Sequence, residues 1–451
     1  MRKFSILSYI LACTLFGACS DYVEVDQPNV RTLKYTSDYE YILNNRSVFE
    51  YGYNLPLFSS DDIDITSTVI LKSMSNDQKL VYTWGEYYYT SDQTDANWAN
   101  IYKQIYNCNV VVAGVMSSEK GTEAEKGAVY AEALVQRAYA YLTLMNMYAP
   151  IYQESTADQT KGVPLLLTPD LYASLQRPTS RTVYNQIIKD VREALPTIAS
   201  SPSNNIHPGK AAAYAVLART YLYMQQYDSA GVNAQKALDL QSTLLDLRAI
   251  ASGSQSMPTQ INDPEIILSK TAYLSITLPL SSRLITLFST ADLRYSLYTR
   301  DGSTIYPYFT GRAFYRNKLT SESINVGPTV SEMMLIKAES LVRKSQVDAG
   351  MAVINELRKK RFYDSDYSDL TAQDASEALK VVIEERRREL MSRGTRWFDQ
   401  RRLGTETNIV ETVSRTVDGV TYTLAPMSNR YTYPISQSVI DLNPEVEQNP
   451  R

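Results

Sequence analysis

Ile383–Gly404 reads IEERRRELMSRGTRWFDQRRLG, and it sets the reading of the whole chain. Glu384 to Glu389 alternate acids and arginines at helical spacing. Pairs such as Glu385 and Arg388 lie three residues apart, so the stretch reads as a solvated helix face laced by ion pairs. Gly394 should end that helix in a left-handed conformation. Arg396, Asp399, Arg401 and Arg402 follow it, and they are expected to tie the tail back onto the helices before it. All of this is structural, and none of it reads as an anion site.

Outward from this stretch the pattern is helical. Trp98, Ile101, Ile105, Cys108, Val112 and Val115 form one apolar stripe, with Asp92 or Thr94 as cap. A second helix spans roughly Glu123–Tyr148 and carries Arg137 inside its stripe, where it should snorkel or meet a buried carboxylate. Thr179 and Ser180 can cap a third, holding Val183, Ile187, Ile188 and Val191. Gly209–Gln241 has tetratricopeptide-like spacing, with small Ala230, Ala234 and Ala237 facing Tyr221. Val330–Lys344 and Val347–Arg361 form a weaker pair. Helix pairs cannot bury their faces alone, so they should stack into one right-handed solenoid. The expected fold class is mainly α: a tetratricopeptide-like helical solenoid with an irregular, loop-rich ligand-binding subdomain. The repeats occupy chiefly residues 92–250 and 329–404.

Two regions break the helical rule. Residues 49–91 contain YGYNLPLFSSDDIDIT and YTWGEYYYTSD. Residues 263–326 contain RYSLYTRDGSTIYPYFTGRAFYRNKL. Both are rich in Tyr, Gly, Ser and Thr, and function usually sits in such loops. Near the C-terminus, Gly419–Leu424 alternates like a strand, with Arg430–Pro434 as its expected partner.

Composition narrows the function. The chain has 451 residues and a net charge of −4, which argues against nucleic acid as the main partner. It holds 35 Tyr against 9 Phe and 3 Trp. Tyrosine combines an apolar face with a polar tip and suits sugars, peptides and wet interfaces. His207 is the single histidine, and Cys13, Cys19 and Cys108 are the three cysteines. Neither a disulfide framework nor a Cys/His zinc site can be built from these. Ser59–Asp64 clusters three carboxylates without the calcium-loop pattern, so a solvated turn or helix cap is expected, and calcium is possible but not supported.

The N-terminus reads as an address. Arg2 and Lys3 precede the apolar run Phe4–Phe16, and Gly17 and Ala18 lead to Cys19. Residues 1–18 are the expected signal peptide. Cleavage before Cys19 would leave its thiol to carry lipid. No later segment holds the roughly 18 uninterrupted apolar residues that cross a bilayer.

LFGAC at Leu15–Cys19, the Ile383–Gly404 stretch and the ending YTYPISQSVIDLNPEVEQNP resemble the SusD/RagB family of surface lipoproteins. NWANIYKQIYNCNVVV, EALVQRAYAYLTLMNMYAPI, RPTSRTVYNQIIKDVREALP, AAAYAVLARTYLYMQQYDSA and MMLIKAESLVRK are similar to successive blocks of that family. Arg393-Gly394 stands where the family commonly has Glu-Gly. The resemblance implies a single SusD-like domain over 19–451 and a lipid anchor on Cys19 at the outer-membrane surface. It implies capture of oligosaccharide or polysaccharide without chemistry, and delivery as a lid to a SusC-like TonB-dependent transporter. A peptide-binding lid of the same family and a protein-scaffold repeat domain are the alternatives. A two-carboxylate glycosidase is the enzymatic competitor, without a supporting motif.

Family glycan sites are aromatic arcs with polar partners. The expected ligand contacts here are Trp84, Tyr87 and Tyr88 from the first irregular region, and Tyr295, Tyr298, Tyr306 and Tyr308 from the second. Asp61, Asp62 and Arg312 would bond the hydroxyls.

Overall fold

The computed structural model describes residues 33–406 and 409–451. The expected signal peptide and Cys19 lie outside the described residues. Among the described residues, nine helices from Ala96 onward carry the fold: α1 (Ala96–Gly114), α2 (Glu123–Tyr148), α3 (Ser180–Ala194), α4 (Lys210–Tyr223), α5 (Tyr227–Leu240), α6 (Val330–Arg343), α7 (Val347–Arg358), α8 (Ala375–Glu389) and α9 (Thr395–Arg402). From α1 to α7 each helix packs on the next, and α8 lies against α6 and α7. This is the stacked, mainly α solenoid that the repeat spacing predicts.

Local chemistry explains the boundaries. Asp95, not Asp92 or Thr94, caps α1 by accepting from the Asn97 and Trp98 backbone. Thr122 and Glu125 form a reciprocal capping box on α2, and Thr179 caps α3. The C-terminal two-thirds of α2 is buried on every side, which makes it the central helix of the stack. Arg137 resolves its place in that apolar stripe by pairing with buried Asp190 at 2.8 Å.

The helix pair α5–α6 encloses the second irregular region, since the chain leaves the solenoid after Leu240 and returns at Val330. Two short antiparallel ladders organise the excursion. Strand β1 (Thr271–Ala272) pairs with β4 (Ile324–Asn325) at its base, and β2 (Thr299–Asp301) pairs with β3 (Arg312–Phe314) further out. The two irregular regions then meet. Ile63 bridges Leu280, and the Ser281 hydroxyl donates to the Asp61 carbonyl at 2.7 Å.

Near the C-terminus the expected strand pairing is corrected. Val420–Leu424 (β6) pairs with Val413–Val417 (β5) instead of Arg430–Pro434. Asp418 and Gly419 both take positive φ between them, and Asp-Gly is a favoured two-residue hairpin turn.

The larger correction concerns α8. Its charged face is not solvated: Glu385, Arg386 and Glu389 are buried. Arg294, from the excursion, donates to Glu385 at 2.7 Å and to Glu389 at 2.8 Å. Arg361, just past α7, holds Glu389 at 2.7 Å and Glu265 at 2.8 Å. Arg386 joins Asp399 of α9 at 2.7 Å, and Arg402 joins both Asp399 and Glu339. Arg219 of α4 reaches Glu332 of α6. Charges so deeply buried persist only when paired. The lattice therefore welds the excursion, the solenoid and the tail together. Gly394 sits at φ 74 between α8 and α9, where a Cβ would lie 2.7 Å from the Tyr53 ring. The left-handed turn and the close approach both demand glycine.

Candidate ligand-binding surface

The loop between β2 and β3 presents two exposed aromatics of the expected set. Its ends are fixed by the ladder Thr299↔Phe314, Arg300↔Ala313 and Asp301↔Arg312. Asp301 accepts from the Ser303 backbone and starts a single 3-10 turn. Phe309 is fully buried, with its ring against Gly302, where an added Cβ would lie 2.3 Å from the ring. That anchor pins the loop from inside. Tyr306 and Tyr308, on either side of Pro307, are left 41% and 44% exposed. Their rings stack with centroids 5.5 Å apart and planes 3° from parallel. Two exposed tyrosines held face to face form a flat apolar step with hydroxyl tips.

On β3, Arg312 lies 3.8 Å over the Tyr295 ring. Its guanidinium also donates to the Thr299 hydroxyl at 2.6 Å and to the Tyr295 carbonyl at 3.0 Å. Tyr295 and Arg312 are half-buried. Arg300 is exposed and stands 4.7 Å from the Tyr315 ring. Tyr87, in the first irregular region, is 49% exposed.

The remaining expected contacts lie behind the surface. Trp84 is only 5% exposed, and its indole N–H donates to the Ser59 carbonyl at 2.9 Å. The Arg415 guanidinium lies 4.1 Å from the Tyr82 ring and 4.5 Å from Trp84. Arg415 donates to the carbonyls of Phe58, Ser60, Ile63 and Tyr82. This plug fastens the first irregular region to β5. Tyr88 is buried edge-on to Tyr433, and Tyr298 is buried beside Arg316. Asp61 is gripped by Arg396 at 2.7 and 2.9 Å, and Asp62 by Arg387 at 2.7 Å. The expected solvated acidic turn is thus a buried ion-pair anchor, and Arg396 holds the Asp61 carboxyl well below the usual carboxylate range despite its burial. Nothing in the sequence marks Arg415 or Arg300, since each is an isolated arginine whose partners come from distant segments.

Among the described residues, no group of three or more His, Cys, Asp or Glu could hold a metal ion, and no helix is long and apolar enough to cross a membrane.

Two family models match the chain. Residues 21–222 match the model described as starch-binding associating with outer membrane, and residues 290–451 match the SusD family model. The chain belongs to the SusD/RagB family. Solved structures agree on the SusD fold. A SusD superfamily protein from Bacteroides thetaiotaomicron superposes with a TM-score of 0.73 at 19% identity, over 92% of this chain and 100% of that one. A SusD-like carbohydrate binding protein from Bacteroides vulgatus gives 0.69 at 18% identity, over 92% and 97%. A SusD superfamily protein from Parabacteroides distasonis gives 0.68 at 16%, over 92% and 98%. No curated protein matches the chain.

Proposed function

We propose that this protein is a surface lipoprotein that captures oligosaccharide or polysaccharide and passes it, as a lid, to a SusC-like TonB-dependent transporter. One SusD-like domain from residue 19 onward would do this while anchored to the outer membrane by lipid on Cys19. The observation that carries the reading is the exposed Tyr306–Tyr308 stack on a loop clamped by Phe309. Pyranose rings present C–H faces that pack on such flat rings, while half-buried Arg312, just past the end of the same loop, would bond hydroxyls. Tyr295 and Tyr87 extend the candidate surface. Family membership supports the role, as does the carbohydrate binding protein among its structural neighbours. No bond is broken in this role, and uptake energy would come from the transporter.

The test is affinity electrophoresis of the chain from Ser20 onward against a polysaccharide panel, with calorimetry on each positive. Binding without turnover that Tyr306→Ala weakens is the expected result. Binding that ignores Tyr306→Ala and Tyr308→Ala would remove this surface from the site. Absence of a β-barrel partner after mild extraction from the native membrane would sink the lid role.

A further inference from the structure

Residues 149–179 connect α2 to α3, and the middle of this connection is pinned at two points. On one side the Asn109 amide of α1 donates to the Leu166 and Thr168 carbonyls at 2.9 and 3.2 Å. The Tyr141 hydroxyl of α2 also donates to the Leu166 carbonyl at 2.7 Å. On the other side Glu445, in the C-terminal tail, accepts from the Ser174 hydroxyl at 2.8 Å and from the Leu175 backbone at 2.7 Å. Between these clamps Leu171 and Tyr172 stand 78% and 95% exposed. Leu442, three residues before Glu445, is 81% exposed. A loop held this firmly, with its largest apolar side chains left in water, gains nothing from them in the isolated chain. Apolar surface of this kind marks an interaction site.

Leu171, Tyr172 and exposed Tyr106 of α1 line one cleft of about 610 Å³, closed at one end by Asn443. Asp170 and Glu445 line the same cleft, and Asp441 and Glu447 flank it in sequence. All four acids are exposed. Two lysines oppose them: Lys103 in the cleft, and Lys161, which already lies 4.0 Å from Glu447. The patch is therefore apolar at its centre and acidic at its rim.

That charge selects the occupant. A two-fold contact with a second copy would set these acids against one another. The chain's own N-terminal stretch carries Asp21, Glu24 and Asp26 against Arg31, so it is no better matched. A glycan would find the amides already bonded, since Asn109 holds the loop and Asn443 donates to the Val439 carbonyl. A basic, apolar protein segment fits both the centre and the rim.

We propose that this patch is a docking surface for a protein that packs apolar side chains on Leu171, Tyr172 and Leu442 and sets lysines or arginines against the acids. The inference rests on the function proposed above, which makes that protein the β-barrel transporter, met through an outward loop of this composition.

The test is immunoprecipitation of the full chain from its native outer membrane in mild detergent, with the barrel counted per chain by mass spectrometry. The double variant Leu171→Asp/Tyr172→Asp should lower the barrel recovered at least about tenfold, the effect of losing a central anchor. Asp441→Lys/Glu447→Lys should lower it as well. A benzophenone photocrosslinker in place of Tyr172 should mark a barrel loop that carries Lys or Arg beside apolar residues. Isolated Leu171→Asp/Tyr172→Asp should keep the wild-type melting temperature and glycan affinity, which shows that the fold is intact. Wild-type recovery of the barrel by either double variant overturns the docking surface and leaves the lid role standing. Crosslinks to a second copy or to lipid overturn it too, as does loss of glycan affinity in the isolated variant. Absence of the barrel from the wild-type precipitate removes the lid role, and this inference with it.

Discussion

Arg294 and Glu389 stand 95 residues apart in sequence and 2.8 Å apart in the structure, both fully or almost fully removed from water. The same guanidinium holds Asp292 and Glu385, and the same carboxylate is held by Arg361. The excursion that carries the tyrosine step is therefore locked to α8 by buried charge. Removing one partner strands the other charge in a medium that cannot solvate it. Arg294→Met is expected to cost about 3–5 kcal/mol of unfolding free energy. Urea denaturation followed by circular dichroism measures this, and a loss under about 1 kcal/mol, the range of an exposed pair, would show the lattice to be dispensable.

The same lattice sets the acid limit of stability. Burial alone would raise Glu385, Glu389 and Glu339, but the arginines outweigh it and hold each at about 2. Each folded pKa lies below the unfolded value of about 4.5. The stabilisation is therefore complete above about pH 4.5 and is lost as pH falls toward 2. Melting temperature should be flat from neutrality to about pH 5 and then drop steeply. Glu385→Gln should start from a lower plateau and fall less. A wild-type curve that stays level to about pH 3 would contradict the assignment.

How far the sequence reveals this protein depends on where each residue's partners lie. Helix α2 is legible to the residue, because its periodicity and its Thr122–Glu125 box are local. The cap of α1 is Asp95, one residue past Thr94 and three past Asp92, a small error among competing polar residues in one turn. The Val413–Val417 strand is missed although Asp418-Gly419 signals its turn. The charged face of α8 misleads more deeply. Acids and arginines at helical spacing look the same whether water or Arg294 and Arg361 answer them, and those partners come from segments that no local pattern connects to α8. The tyrosines divide for the same reason. Phe309 points in while Tyr306 and Tyr308 point out, and composition cannot sort aromatic residues by direction.

Trp84 shows the consequence. Its indole is buried, hydrogen-bonded to Ser59 and covered by Arg415. Trp84→Ala should destabilise the fold by about 3–5 kcal/mol through the cavity it leaves. The protein that remains folded should bind glycan with wild-type affinity, since the side chain does not reach the surface. Denaturant melts and calorimetry on the same preparation separate the two effects. Lost affinity with unchanged stability would return Trp84 to the binding surface.

Tyr306 should behave in the opposite way. Its ring packs on Tyr308 and on solvent, so Tyr306→Ala gives up little core and should change stability by no more than about 0.5 kcal/mol. If a sugar ring rests on the stack, the same change should cost about 1–2 kcal/mol of binding, the usual loss when an aromatic anchor is truncated. Tyr306→Phe keeps the flat face and removes only the hydroxyl, so it should retain most of the affinity when stacking dominates. Calorimetry with the glycan found in the panel ranks the three proteins. The order wild type, Phe, Ala at constant melting temperature identifies a stacking platform. Equal loss in Phe and Ala would mean that the hydroxyl, not the ring face, makes the contact.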